Sequence, residues 1–408
     1  MKILVFTTLY PNNVWPNHGV FIKERMTRVA RLEGCELKVV ASVPYFPPLR
    51  LGTRWKFSQV VRKEMREGIE TVHPRYFITP KVGMVFYGCT MFLSLLPYVR
   101  SLQKNFAFEL IDSHFLYPDG MAAVLLGCYL RKPVIVSARG SDVNVYKDFR
   151  FIRPLLRWTV LHANRVIAVS EALKGAIATL GLPTDKVAVI PNGVDSEKFS
   201  PMSKVEARRC VGLPDGPVLL SVGHLTANKG FDLLVRALKM LHQHGEHDLS
   251  LVIIGEGGFR PALEQLIASL RLSSRVRLVG AVPHQALSPW YNAADLFCLV
   301  SAREGWPNVI LEALACGTPV VATAVGGIPE VLRSEKVGVL TERSVEKIAE
   351  SITRALRRPW KEDEIVQYAR QYQWEHAASA IVSLFRDVLA SHGSLSSTAP
   401  FTRERRVG

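Results

Sequence analysis

Residues 301–319 read "SAREGWPNVILEALACGTP". Pro307 suits the first turn of a helix, where its missing N–H leaves nothing unpaired. Gly317 suits the stop, with Pro319 beyond it. The predicted helix covers about 307–316 and is nearly all apolar. Its polar residues, Asn308 and Glu312, are four apart and so share one face. An ionised carboxylate in such a helix needs a partner. A second carboxylate, Glu304, stands in the loop before the helix. The apolar runs "DLFCLV" before this stretch and "PVVAT" after it read as buried strands, so the unit is strand, loop, helix, strand.

The same unit recurs along the chain. "KILVF", "LKVVAS", "ELIDSH", "PVIVSA", "RVIAVS" and "KVAVIPNG" are strand signals in the first half. "PVLLSVG", "LSLVIIGEG", "RVRLVG", "DLFCLV", "PVVAT" and "GVL" repeat the series in the second. Strands alternating with helices imply α/β architecture with parallel sheets covered on both faces. Two series in 408 residues imply two domains. The boundary falls near "PNGVDSEKFSPMSK", residues 191–204, where Pro, Gly and Ser collect. The expected division is 1–192 and 193–373. The Ser-rich, basic tail 393–408 is read as disordered.

The formal net charge is +15. Residues 1–195 hold 26 Lys and Arg against 14 Asp and Glu, a balance of +12, and the remainder 25 against 22, a balance of +3. A basic first half suits either an anionic partner or simple solubility. Arg50, Arg54, Lys56, Arg62, Lys63, Arg66, Arg75 and Lys81 crowd the stretch before "VGMVFYGCTMFLSLLPYV", residues 82–99. Thr90, Ser94 and Pro97 weaken a membrane span there and favour a buried or membrane-surface helix. The basic residues lack an interleaved aromatic platform, so no nucleic-acid partner is expected. The six cysteines show no paired spacing and read as small buried hydrophobes in a reducing compartment. "MKILVFTTLYPNN" reads as a first buried strand rather than a signal peptide.

In open parallel sheets, ligands bind beyond the carboxyl ends of the strands. Gly223 there lets a ligand approach the backbone. Lys229, before a helix starting near Phe231, suits phosphate or is a solvated surface lysine. Around 304–312, the amides from Gly305 to Asn308 suit phosphate, and Glu312 suits a vicinal diol or a structural ion pair with an arginine. In the first half, Gly19 precedes the helical pattern "VFIKERMTRVARL" and its amides suit the same diphosphate. His114 ends "ELIDSH" and reads alone as structural or functional. "SARGSDV" places Arg139, Gly140 and Asp142 after another strand, where Asp142 also suits a loop or helix cap.

These residues together resemble the retaining GT-B glycosyltransferases of family 4, over roughly residues 1–390. The most specific element is Glu-x7-Glu, met by Glu304 and Glu312. "VIAVSEALKGAI", "VIPNGVDSEKFSP", "VIIGEGGFRPALEQL" and "AVGGIPEVL" support it. The resemblance implies two Rossmann-like domains facing a deep cleft, with a last helix, about 374–392, crossing back to the first domain. It implies a nucleotide-diphosphate-sugar donor bound by the second domain, with Glu312 on the ribose, Glu304 on the sugar and Lys229 on the diphosphate. Val282 would lie near the base, Gly19 near the phosphates and His114 near the transferred sugar. Trp306, Pro307 and Val309 share the donor loop. Catalysis would fall to His114, Lys229 and Glu304, with no cofactor and no metal.

The family pairs an arginine with the lysine, and this sequence has His224 there. A histidine titrates near neutrality, so donor binding is expected to weaken as pH rises. The first domain would take a lipid-linked or saccharide acceptor, with the enzyme peripheral on the cytoplasmic face of an anionic membrane. A nucleotide-sugar epimerase or hydrolase of the same fold, and a non-catalytic partner in polysaccharide assembly, are the competing readings.

Overall fold

The computed structural model describes residues 1–48, 54–78 and 83–397. Arg50, Lys81, Val82 and the tail 398–408 lie outside the described residues. The first sheet has eight strands in the spatial order Val187–Val189, Arg165–Ala168, Val134–Ala138, Leu110–His114, Lys2–Thr7, Glu36–Ala41, Ile69–Val72, Lys63–Arg66. The second has six in the order Val276–Gly280, Ser250–Ile254, Val218–Val222, Leu296–Leu299, Val320–Thr323, Gly338–Thr341. All neighbours are parallel except the last pair of the first sheet. Two open sheets with helices on both faces are the GT-B architecture.

Burial on both faces explains the apolar strands. In Lys2–Thr7, Ile3 and Val5 join the core beneath the helices Val20–Arg31 and Trp374–Ser397, while Leu4 and Phe6 join the core on the opposite face. Strand side chains alternate in this way, so a run buried on both sides has no polar position to offer. In Val218–Val222, Leu219 joins the core on one face of the second sheet and Leu220 that on the other.

The hairpin Lys63–Arg66/Ile69–Val72 was not foreseen, because Lys63, Glu64, Arg66 and Glu70 hide its alternation. Its turn residues Glu67 and Gly68 both have positive φ, 49° and 81°, which suits a tight hairpin. It also absorbs part of the basic cluster. Lys63 pairs with Glu70 at 2.9 Å and Arg66 with Glu64 at 2.9 Å, and Arg75 donates to the carbonyls of His73 and Val60.

The apolar run at 82–99 forms a helix, Tyr87–Phe106, behind a single turn at Met84–Phe86. Met91, Leu95, Val99, Leu102 and Phe106 are buried in the core of the first domain, while Phe86 and Leu93 are 62% and 66% exposed. Met84–Phe106 is also long and apolar enough to cross a membrane, by length and composition alone. Cys298 and Cys316 are buried as expected, but Cys128 and Cys210 are exposed.

The chain leaves the first sheet after Val189, runs through Gly193 and Val194, and returns beside itself at 372–374. The Val194 amide donates to the Tyr372 carbonyl at 2.7 Å. A Cβ on Gly193 would collide with the backbone at Gln373 and Trp374. The final helix, Trp374–Ser397, then buries Trp374, Ala378, Ile381, Val382 and Phe385 against the first domain. It continues past residue 393, where the sequence reading began a disordered tail. Phe385→Ala is expected to cost about 3–5 kcal/mol, measured by urea denaturation. A loss below 1 kcal/mol would mean that this helix contributes little to the first domain's core.

Candidate active site

The strand Leu296–Leu299 delivers Ser301 and Glu304 to the carboxyl edge of the second sheet, and the helix Asn308–Ala315 starts immediately after. Pro307 is its N-cap residue, and Gly317, at φ 78°, ends it. Glu304 Oε1 accepts from Lys229 Nζ at 2.5 Å and from Ser301 Oγ at 2.7 Å. Lys229 closes a turn that ends in Gly230, itself the N-cap of the helix Phe231–Gln243. The lysine stem lies over Gly223, 3.6 Å from where a Cβ there would stand, an ordinary contact distance. The solvated-lysine alternative thus gives way to a buried-side ion pair at the end of two strands. The Asn308 amide donates to the Trp306 carbonyl at 3.2 Å and the Ile310 amide to that of Pro307 at 3.0 Å. The expected cradle from Gly305 to Asn308 thus loses the Asn308 amide, and Pro307 has none, which leaves the amides of Gly305 and Trp306, with Val309 one residue beyond the expected range.

Glu312 is 7% exposed and fully partnered. Its Oε1 meets His284 Nε2 at 2.9 Å, and its Oε2 accepts from the Tyr291 hydroxyl at 2.7 Å. The partners are therefore a histidine and a tyrosine, not an arginine. Burial pulls the His284 pKa down, and the charge and hydrogen bond of Glu312 outweigh it and raise the pKa above the ordinary histidine value. Burial, reinforced by Glu312, pushes the Tyr291 hydroxyl well up, so it stays a donor. Each carboxylate oxygen keeps a second lone pair, so a diol can still be accepted. Neither partner was legible: Tyr291 looks like one more apolar-run residue in "SPWYNAADLF", and only the nearness of His284 to Val282 marked that loop.

The first domain closes over this edge. Gly19 has φ 67°, and a Cβ on it would run into the Leu9 carbonyl. Asn17 Nδ2 donates to the Val282 carbonyl at 3.0 Å, which brings the loop before Gly19 to the loop expected at the base. His18 Nε2 lies 3.2 Å from the Thr8 carbonyl; burial pulls its pKa down, and the nearby charge of His224 adds to that. His224 itself is exposed. Gly305 sits against Gly140 so closely that a Cβ on either would strike the other loop. Ser170 Oγ donates to the Gly305 carbonyl at 3.0 Å, and Glu330 accepts from the amides of Glu171 and Ala172 at 2.8 Å each.

His114 is wholly buried, with Arg139 NH2 at 2.5 Å from its Nδ1. Arg139 NH1 donates to Asn192 Oδ1 at 3.3 Å, and Asn192 Nδ2 donates to Asn308 Oδ1 at 3.1 Å. A polar chain thus runs from His114 across the cleft to the face that carries Glu312. Asp142 departs from its expected place at the substrate. It is buried, and its carboxylate accepts from the amides of Leu116, Arg139 and Gly140. It shapes the loop that holds Arg139, which is the capping alternative. Trp306 packs on Tyr372 with ring centroids 6.0 Å apart, and Val309 packs at the core edge, so both support the site from behind. Among the described residues no group of three or more His, Cys, Asp or Glu is placed to hold a metal.

Two family models match the chain: Glycosyltransferase Family 4 over residues 74–198 and Glycosyl transferases group 1 over 204–372. TuaC of Bacillus subtilis (strain 168), named for teichuronic acid biosynthesis, is 30% identical over 363 residues, covering 87% of this chain and 89% of its own. MJ1607 of Methanocaldococcus jannaschii, a glycosyltransferase by name, is 30% identical over 280 residues, covering 64% of this chain and 71% of its own. The protein belongs to the group 1, family 4 glycosyltransferases and is a transferase of that class. Among solved structures, sucrose-phosphate synthase from Thermosynechococcus elongatus superposes with TM-score 0.78 at 20% identity, covering 96% of this chain and 99% of that one. Anabaena HepE in complex with UDP and glucose gives 0.72 at 20%, covering 95% and 100%. Both share the fold.

A histidine whose folded-state pKa is raised stabilises fully below the unfolded value, about 6.5. That contribution is lost as pH climbs through the folded value. His284→Gln should therefore lower stability by about 1.5–3 kcal/mol at acidic pH, with a smaller loss at alkaline pH. Chemical denaturation of both proteins at about pH 6 and pH 9 reads this. Equal losses at the two pH values would mean that His284 is not charged beside Glu312.

Proposed function

We propose that the protein is a retaining, metal-independent hexosyltransferase that moves a sugar from a nucleotide-diphosphate-sugar to a hydroxyl of a lipid-linked or polysaccharide-precursor acceptor. The observation that carries this reading is the Lys229–Glu304 pair, 2.5 Å apart at the carboxyl edge of the second sheet, with Glu312 in the second turn of the helix that follows. The donor's ribose diol would share Glu312 with His284 and Tyr291. Its diphosphate would lie between Lys229, His224, the amides of Gly305, Trp306 and Val309, and the turn at Gly19. Its sugar would meet Glu304 and the His114 end of the first sheet.

On this reading the bond between the anomeric carbon and the diphosphate oxygen breaks with its electron pair on the oxygen. Lys229, His224 and the amides meet that charge as it grows, which is where preorganised donors lower a barrier most. The acceptor oxygen bonds to the anomeric carbon on the same face, and its proton leaves with the diphosphate. Positive groups and amides take the role that a metal plays elsewhere.

The acceptor side is the first domain, and its charge surplus fits an anionic membrane on the cytoplasmic side. Exposed Phe86, in the turn before the helix Tyr87–Phe106, and exposed Leu93, on that helix, follow the basic stretch in sequence, and basic residues near such a surface contribute about 1 kcal/mol each. The pairing of Lys63 and Arg66 leaves this contribution smaller than their number suggests. TuaC, named for teichuronic acid biosynthesis, is consistent with a polysaccharide-precursor acceptor.

A panel of nucleotide-sugars screened by thermal stabilisation, followed by product analysis with a bacterial lipid extract, tests this. One donor should stabilise the protein and yield a glycosylated lipid, and Glu304→Ala should lower transfer by about a hundredfold or more. Free sugar formed without any acceptor would point to a hydrolase or epimerase. Donor binding that Glu304→Ala leaves untouched, with no turnover, would point to a non-catalytic assembly partner.

A further inference from the structure

His114 and Asp112 lie two residues apart on the strand Leu110–His114 and therefore on one face of the sheet. Over that face the helix Val20–Arg31 lays Arg25, wholly buried and held by the Ile190 carbonyl at 3.0 Å and Asn192 Oδ1 at 2.9 Å. Arg139 comes from the end of the neighbouring strand. It is fixed from three sides: Asp142 holds its loop, Asn192 takes NH1, and its guanidinium stands over the Phe21 ring, 5.5 Å from the centroid. The fourth contact is Arg139 NH2 to His114 Nδ1 at 2.5 Å.

A guanidinium carries only donors and does not lose its proton. Nδ1 of His114 must therefore be the lone pair, and the ring must be neutral with its proton on Nε2. Nε2 lies 3.3 Å from Asp112 Oδ2. The orientation, not the distance, rules out a hydrogen bond there, and Nε2 and both Asp112 oxygens are left without a hydrogen-bond partner. The groups facing the imidazole are thus Arg139, Arg25 and Asp112, with Asp142 behind Arg139. Burial pulls the His114 pKa well below its ordinary value, and the two arginines add to that.

We infer that Arg139 is a positioning residue that locks His114 as a neutral imidazole with its proton on Nε2, so that His114 serves the transfer reaction as a hydrogen-bond donor and not as a proton acceptor. The functional half rests on the proposed place of His114 beside the transferred sugar; the protonation half does not. It assigns the acceptor's proton elsewhere, in keeping with its departure on the diphosphate. It also gives the buried arginine pair a task that phosphate binding does not supply.

The test is a nitrogen-15 spectrum of histidine-labelled protein, assigned with a His114→Gln variant. In the intact enzyme His114 should show an unprotonated Nδ1 and a protonated Nε2 at every pH between about 5.5 and 8.5. Arg139→Met should remove the donor that faces Nδ1, and the spectrum should then show a share of His114 carrying its proton on Nδ1; an unchanged spectrum would mean that Arg139 does not set the tautomer. Arg139→Lys, which also only donates, should keep the original pattern. A His114 of the intact enzyme that carries its proton on Nδ1, or that titrates in this range, overturns the proposal. Should Arg139→Met fail to fold, the spectrum of the intact enzyme decides alone. It does so without donor or acceptor, so its outcome is separate from that of the nucleotide-sugar panel.

Discussion

The ion pair between Lys229 and Glu304 is the constraint on which the site depends. It joins two loops of the second sheet, one after Val218–Val222 and one after Leu296–Leu299, at the edge where parallel sheets expose unsatisfied ends. Ser301 holds the same carboxylate oxygen. Without a ligand the lysine is neutralised by the glutamate. On the proposed function, an arriving diphosphate would compete with Glu304 for Lys229, and a sugar hydroxyl could then take the released carboxylate. On that same reading, the pair would be a resting arrangement whose partners separate onto two parts of one donor.

Around that pair the two domains are tied by contacts whose chemistry differs from point to point. Glu330 of the second domain satisfies two amides at the start of the helix Glu171–Ala178 in the first, where a helix leaves donors unpaired. Asn192 bridges Arg139 and Asn308 at the segment that links the domains. Below it, Arg28 of the helix Val20–Arg31 pairs with Glu24 and Asp195, and Lys198 with Glu24. Burial raises and these cations lower the carboxyl pKa values, and the net shift is downward for both Glu24 and Asp195. The link between domains is therefore a network of paired charges rather than a bare loop, and it fixes how the His114 end of the first sheet faces the loop that carries Glu304.

Much of the fold was legible because buried parallel strands are continuous apolar runs: each of the twelve named in the sequence lies on an observed strand. The hairpin at 63–72 escaped because it has a solvated face and its charges pair with one another across the turn. At the site, Glu304, Glu312 and Lys229 could be read because a charged residue beside a helix start or within an apolar helix is conspicuous. Asp142 was misplaced because a carboxylate that binds backbone amides and one that binds a ligand look alike in sequence. Tyr291 and Asn192 were missed because a buried hydroxyl and a loop amide carry no periodic signal. The partners of Glu312 are set by tertiary packing of the turn His284–Ala286 and the helix Ser288–Ala293 against Asn308–Ala315, which no local pattern encodes.

The account stands or falls on whether Glu304 holds Lys229 in the place of a phosphate. Calorimetric titration of the protein and its Glu304→Gln variant with UDP, GDP and ADP measures this directly. The account predicts that the diphosphate that binds will do so several-fold more tightly in the variant, since about 1 kcal/mol of competing attraction is removed. Unchanged or weaker binding in the variant would contradict it.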